Sequence, residues 1–444
     1  MASATQQNVP PSGTRDFLAK DMRIREHAFG VIRNAFERYG FEPLQTPAFE
    51  RLEVLTGKYG EEGDKLIFKI LRRGEHEHTG EADLALRYDL TVPLARVVAG
   101  YGSQLPRPYK RYGIAPVWRA DRPGKGRFRE FFQCDIDQVG SHSPLADAEI
   151  VVAISSALRD LDVADFQFLL NSRKALFGLL EASDIPDELG TGVLLSLDKL
   201  DKLSPDSVIK ELVEQRGLPH DRAESLVNTV SGEDAVDQVR TLLRKTDIGR
   251  AGVQEIDDVL TLVEGNLASG SIAFSPQLVR GLNYYTGPIW EVVSPTMPGS
   301  IASGGRYDHL IETLGGPDLP ACGGSLGLER ILLLLEEQME QRSSLVDVAV
   351  TVMGAELATD SFSFASKLRS VGIRTGLYLG SSGKLARQLK WASEQGARYS
   401  VIYGPKDQAA GQVTVRDMSN GEQQELPVDR LVDYLAGRIN SATD

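Results

Sequence analysis

The chain has 444 residues, of which 41% are hydrophobic and 25% charged, and a formal net charge of −13. That length calls for roughly two to three domains, with the composition of a soluble globular protein. There is no run of about 18 apolar residues of the kind a membrane span needs, and with only Cys134 and Cys322 both a disulfide framework and a four-cysteine zinc site are excluded.

The first residues, MASATQQNVPPSGTRD, lack the basic cluster and apolar stretch of a signal peptide, which points to the cytoplasm. Residues 1–16 read as an extended arm. From Asp21, the expected N-cap, Ala28, Val31, Ile32, Ala35 and Phe36 fall at helical spacing until Gly40. Residues 41–140 mix short strand-like stretches with turns. Within them Arg107, Lys110, Arg111, Arg119, Arg122, Lys125, Arg127 and Arg129 face Asp121 alone. The acidic total argues against non-specific coating of nucleic acid, yet this stretch leaves room for a specific polyanion site.

Residues 142–160 return to a helical pattern, with Ala146, Ile150, Val151 and Ile154 on one face. Residues 176 to about 270 carry Leu-rich amphipathic segments such as VIKELVEQRGLP, stopped by Gly217 and Pro219, and read as a helical insertion. From Ser343 onward strands (VDVAVTVMG, IRTGLYL, YSVIYG, QVTVRDM) alternate with helices (FSFASKLRSVG, KLARQLKWASEQG, VDRLVDYLAGRI), which implies a small α/β domain with a largely parallel sheet.

The chemistry concentrates in four segments. Read as a strand, RFREFFQCDIDQVG puts Phe132, Cys134 and Ile136 on one face and Arg129, Phe131, Gln133, Asp135 and Asp137 on the other. Such a polar face is costly to bury without partners; a solvated face with one stray Phe weighs equally on these residues alone. In LALRYDLTVPL, a strand would place Arg87, Asp89 and Thr91 together. In LVRGLNYYTGPIWEV, Arg280 lies among apolar residues ahead of Tyr284 and Tyr285. Buried Arg takes an anionic partner, phosphate or carboxylate. In CGGSLGLERILLLLEE a Gly-rich backbone leading into an apolar helix, with Arg330 in its first turns, suits a phosphate. Neither a GxxxxGK[ST] loop nor a strand–GxGxxG–helix unit is present.

Taken together these segments resemble the class II aminoacyl-tRNA synthetases, and among them histidyl-tRNA synthetase, across nearly the whole chain. PPSGTRDF resembles that family's opening segment, GFEPLQTPAFE its motif 1 with Pro47, VWRADRPGKGRFREFFQCDIDQVG its motif 2 and GGSLGLER its motif 3. LVRGLNYYTG resembles the histidine-specific signature, while LALRYDLTVPLAR and QCDIDQVG are similar to the eukaryote-like branch. The implied fold is an α+β catalytic domain, an antiparallel class II synthetase sheet with helices, in two parts (1–175 and 271–342). A helical insertion (176–270) interrupts it, and a C-terminal α/β anticodon-binding domain (345–444) follows.

The implied activity is ATP-dependent formation of histidyl-adenylate and transfer of histidine to histidine tRNA, by a homodimer paired through motif 1. Arg119, Arg280 and Gln133 would be catalytic. Asp89, Thr91 and Gln133 would receive the α-ammonium of histidine; Asp137, Tyr285, Tyr284 and Tyr307 would surround its imidazole; Arg280 would bridge its carboxylate to the α-phosphate. Arg119 would hold the α-phosphate of ATP, Asp121 would lie near adenine, Arg127 and Arg330 would clamp the outer phosphates, and Phe131 would stack on the base. Mg²⁺ would arrive mainly on the ATP phosphates, with no metal held by the protein alone. Lys384, Arg387, Lys390 and Arg398 would face tRNA. The chain departs from the family pattern at Asn283 (usually Asp), Gly324 (often a bulkier apolar residue) and His309 (often Gly). These departures motivate a paralogue that adenylates histidine for another acceptor. The non-catalytic regulatory subunit of ATP phosphoribosyltransferase is the other alternative; it normally lacks the last domain.

Overall fold

The computed structural model describes residues 8–76, 78–124, 126–163, 165–268, 270–279, 284–335 and 346–440. They form two compact units, Met1–Gln338 and Met339–Asp444.

The first unit is built on an eight-stranded sheet. In chain order its strands are β1 (Glu42–Pro43), β5 (Tyr109–Trp118), β6 (Glu130–Val139), β7 (Gln167–Ser172), β8 (Ile272–Phe274), β9 (Pro288–Ser294), β10 (Met297–Arg306) and β11 (Ala321–Gly327). The intervening β2 (Phe49–Arg51), β3 (Lys69–Leu71) and β4 (Ala82–Leu86) make a separate three-stranded sheet in the order β2-β4-β3. The large sheet runs β1-β5-β6-β11-β10-β9-β7-β8 and is antiparallel except for its two edge pairs, β1 with β5 and β7 with β8. The antiparallel sheet implied by the sequence is therefore present, with parallel edges added.

Helix Ala19–Arg38 buries Ala28, Ile32, Ala35 and Phe36 at the expected spacing, and Gly40 beyond it has φ +74°. It begins two residues before Asp21, which sits in the first turn, where its charge meets the positive end of the helix dipole. Helix Pro144–Asp160 is capped by the Ser143 hydroxyl, which accepts from the Leu145 N–H, and packs on the first helix and on β11.

Between the edge strands β7 and β8 the chain is helical: Arg173–Ala182, Asp187–Leu197, Pro205–Glu214, His220–Ser231, Ala235–Leu243 and Asp247–Val263. The excursion leaves from one strand and returns on the neighbour parallel to it. A parallel pair requires a long crossover, so the sheet keeps its register while the intervening chain builds a helical body.

The second unit has a five-stranded sheet of β12 (Val348–Val350), β13 (Thr375–Leu377), β14 (Tyr399–Ile402), β15 (Gln412–Asp417) and β16 (Gln423–Pro427), in the order β13-β12-β14-β15-β16. Its core is Val348, Val350, Phe364, Leu368, Val401, Val413 and Leu435. The sheet is mixed and not largely parallel. β12, β13 and β14 run parallel, but β15 and β16 are antiparallel. The connections explain this, since the short helix Pro405–Ala410 and the turn after Asp417 are too short for parallel crossovers. β16 has no apolar alternation to betray it: of QQELP only Leu426 is buried.

Candidate active site

β6 is the spine of the site. From Gln133 to Val139 it lies between β5 and β11, so two rows of side chains cross three strands on one face. One row is Arg111–Asp137–Gly323, and the next is Gly113–Asp135–Ser325. Ile136 and Cys134, pointing the other way, are wholly buried. The alternation read from the sequence holds, and the polar face is not solvated: Asp135 and Asp137 are each 2% exposed.

The Arg111 guanidinium pairs with Asp137 at 2.7 Å and donates to the Leu90 carbonyl at 3.0 Å. The Tyr307 hydroxyl donates to the other oxygen of Asp137. Burial pushes the Asp137 carboxyl above its ordinary range, while Arg111 and the Tyr307 hydrogen bond pull it down. Burial likewise raises Tyr307 well above a free phenol, with the Asp137 charge adding to the effect. A Cβ on Gly323 would run into the Asp137 carboxylate, and one on Gly324 into the Trp290 indole. The glycines of GGSLGLER are thus not a phosphate loop. They lie in strand β11, kept bare by what packs over them, and the helix bearing Arg330 starts only at Leu328. Gly324, unusual for the family pattern, is matched by a large ring that fills the space beside it.

Asp89 also lines the cavity. The strand expected through Thr91 stops at Leu86, and Thr91 opens helix Thr91–Tyr101. The reason is local: the Asp89 carboxylate accepts from the Val92 N–H at 3.0 Å, and Pro93 in the first turn has no N–H to lose. The same Asp89 oxygen accepts from the Tyr59 hydroxyl at 3.1 Å. Burial raises Asp89, offset by the Val92 hydrogen bond and the Arg119 charge. Arg87 makes no ion pair among the described residues; its guanidinium donates to the carbonyls of Pro116, Thr46 and Pro47 and ties β5 to the segment before β2.

Towards solvent the cavity turns basic. Arg119 donates to the Tyr88 carbonyl at 3.1 Å and lies 4.3 Å from the Tyr88 ring and 5.2 Å from the Phe131 ring. Arg127 pairs with Asp121 at 2.6 Å. Arg330 donates to the Ser300 carbonyl at 2.5 Å. Its neighbour Glu329, 5% exposed, accepts both guanidinium nitrogens of Arg25 at 2.9 Å and is also bonded by Arg15. The basic run of the sequence is not one patch: Lys110 is spent on Glu149, Arg111 on Asp137, and Arg129 on the Asp121 carbonyl.

One cavity of about 420 Å³ collects these groups. Asp89, Thr91, Gln133, Asp137, Tyr284, Tyr285 and Tyr307 line one part of its wall; Arg119, Asp121, Arg127, Phe131 and Arg330 also line it. Arg280, Asn283 and Lys125 lie outside the described residues. His309 takes φ +71°, a conformation that favours glycine, and its imidazole is held to Asp318 at 3.0 Å, away from the cavity lining. Sequence reasoning did not select Arg111, Tyr59, Ser325 or Asp135 as site residues. For Asp135 a signal existed, since it shares the strand face of Gln133 and Asp137.

Comparison with known proteins adds the following. A family described as histidyl-tRNA synthetase matches residues 13–331, and one described as anticodon binding domain matches residues 347–438. The histidine–tRNA ligase of Gloeobacter violaceus is 42% identical, covering 97% of this chain and 98% of its own. That of Cytophaga hutchinsonii is 38% identical, covering 96% of this chain and 98% of its own. The crystal structure of histidyl-tRNA synthetase from Nostoc sp. PCC 7120 has a TM-score of 0.79 at 30% identity, over 97% of this chain and 99% of that one.

Proposed function

The chain belongs to the histidyl-tRNA synthetase family, and from that premise we infer that it activates L-histidine with ATP and transfers it to histidine tRNA. The observation that carries this reading is one cavity lined both by the buried carboxylates Asp89, Asp135 and Asp137 and by the guanidiniums of Arg119, Arg127 and Arg330. An amino acid offers an ammonium to the first, and a nucleotide offers phosphates to the second.

In the proposed reaction a carboxylate oxygen of histidine attacks the α-phosphorus, and the bond to the pyrophosphate oxygen breaks as pyrophosphate leaves with its electrons. No general base is needed, because the nucleophile is already ionised. Two anions must approach each other, and fixed guanidiniums offset that repulsion without reorganising. Arg119, anchored to the Tyr88 carbonyl, takes the α-phosphate; Arg127 and Arg330 take the outer phosphates; Phe131 stacks on adenine, with Asp121 beside it. Asp89, Thr91 and Gln133 receive the ammonium. Asp137, oriented by Arg111 and Tyr307, faces the imidazole together with Tyr284 and Tyr285. The role that the sequence gives Arg280 rests on the sequence alone. In the second step a ribose hydroxyl at the tRNA end attacks the activated carbonyl and AMP departs.

Mg²⁺ enters this scheme as part of the substrate. Asp121 and Glu329, the carboxylates at the arginine-rich end, are already paired with guanidiniums, which leaves the ATP phosphates as its principal ligands. The domain roles belong to the same proposal: residues 1–175 and 271–342 catalytic, 176–270 an insertion, and 345–444 binding the anticodon end through the exposed Lys384, Arg387, Lys390 and Arg398. The protein acts as a homodimer, a reading supported by Phe49 and Leu71, which stand 52% and 56% exposed on the three-stranded sheet beside motif 1. No helix among the described residues is long and apolar enough to cross a membrane, and a cytoplasmic location completes the proposal. The deciding experiment is transfer of labelled histidine to histidine tRNA, with ATP–pyrophosphate exchange measured in parallel. Histidine-dependent exchange and charging are expected; exchange without charging would replace tRNA by another acceptor, and loss of both would overturn the reading.

A further inference from the structure

Apart from Asp137 Oδ2, which Arg111 holds in an ion pair at 2.7 Å, three buried acceptor atoms along the cavity have no hydrogen-bond partner among the described residues: Asp89 Oδ2, Gln133 Oε1 and Asp135 Oδ1. Two of them belong to residues that the family resemblance already assigns to the α-ammonium. The third does not. Asp135 is 2% exposed and sits between Gly113 and Ser325 in the strand register, so a bare backbone flanks it on one side. The Arg111 guanidinium is committed to Asp137 and the Leu90 carbonyl. A buried carboxylate that keeps an open oxygen is costly unless a donor reaches it in use.

An ammonium group has three N–H donors and no acceptor, which matches these open acceptors in kind. We infer that Asp135 is a further acceptor for the α-ammonium of histidine, beside Asp89, Thr91 and Gln133. This rests on the reading of the cavity as the histidine site. The second carboxylate adds to what the first supplies. Asp89 accepts from Val92 and Tyr59 on one oxygen and keeps the other open, and Asp135 adds a further open oxygen for substrate. The electrostatics run the same way. Burial pushes the Asp135 carboxyl up, Arg111 pulls it down, the Asp137 charge pushes it up, a hydrogen bond with Ser325 pulls it down, and the Asp89 charge pushes it up. An arriving cation favours the ionised form.

The test is equilibrium binding to the full-length protein of two ligands, histidine and 3-(imidazol-4-yl)propionate, which is histidine without its amino group. ATP binding and the thermal midpoint serve as controls. Asp135→Asn keeps the shape and removes the charge; Asp135→Ser is the second variant should the first not fold. Histidine affinity is expected to fall about 10- to 100-fold, the range for a charged hydrogen bond, while affinity for the desamino ligand stays level or rises. Equal losses for both ligands, or undiminished histidine binding, would overturn the role of Asp135 alone. Failure of the unmutated protein to bind histidine would instead remove the underlying reading of the cavity.

Discussion

Along the carboxylate wall of the cavity, Asp89, Asp135 and Asp137 are 2–3% exposed on strand and helix-start backbone, whereas among the guanidiniums Arg127 leaves 58% of its side chain in solvent. The carboxylates are held by neighbours that cannot easily move: Arg111, Tyr307, Tyr59 and the Val92 N–H. Arg119 donates to the Tyr88 carbonyl and Arg330 to the Ser300 carbonyl, and Arg127 holds Asp121 in an ion pair whose guanidinium is exposed. The difference is one of stringency. A mismatched ligand among the carboxylates leaves desolvated polar atoms unpaired, which is expensive. A mismatched phosphate oxygen among the arginines can be made good by water.

That contrast can be broken in order of severity. Arg119→Ala removes the guanidinium set between the Tyr88 and Phe131 rings, and pyrophosphate exchange should fall about 100- to 1,000-fold, as on deleting a fixed donor that meets developing charge. An exchange rate within threefold of the unmutated protein would show that the α-phosphate sits elsewhere. Gly323→Ala pushes a methyl group into Asp137. The KM for histidine should rise about 100-fold while that for ATP stays put, at a cost in the range of other buried polar pairs; equal changes in both would contradict the division of the cavity. Gly324→Ala confronts the Trp290 ring and should cost about 1–3 kcal/mol of stability as overpacking. Trimming the ring with Trp290→Leu in the same chain should relieve that clash, as read by the denaturant midpoint. Arg127→Ala, at the exposed pair, should raise the KM for ATP by no more than about tenfold.

A pH measurement sharpens the comparison at its weakest amplitude. Burial holds the Asp135 carboxyl above its ordinary value in the folded protein, so the folded state binds the proton more tightly than the unfolded chain. Stability from this group is therefore greatest below about pH 4, the free carboxyl value, and declines as pH rises through the folded-state value. Asp135→Asn should remove that decline, so that its thermal midpoint gains on the unmutated protein as pH rises from 4 to 7. Parallel curves would mean that the Asp135 charge is compensated within the site.

The sequence by itself determined most of what is local. Alternation along Arg127–Gly140 placed Asp135 and Asp137 on one face and Cys134 and Ile136 on the other, because strand geometry has period two whatever the neighbours. Helical spacing identified Ala19–Arg38 and Pro144–Asp160 to within two residues. Motif order marked the residues around the cavity. Tertiary structure alone decided which charges pair and which glycines are strand. Nothing in the sequence around Arg111 or Arg87 says that the first belongs to Asp137 while the second is satisfied by three carbonyls, since those partners lie far along the chain. Nor does GGSLGLER reveal that its glycines lie under Asp137 and the Trp290 ring. Periodicity records what one element requires of its own backbone. Pairing and close approach are set by the register between elements, which takes shape only when the sheet closes.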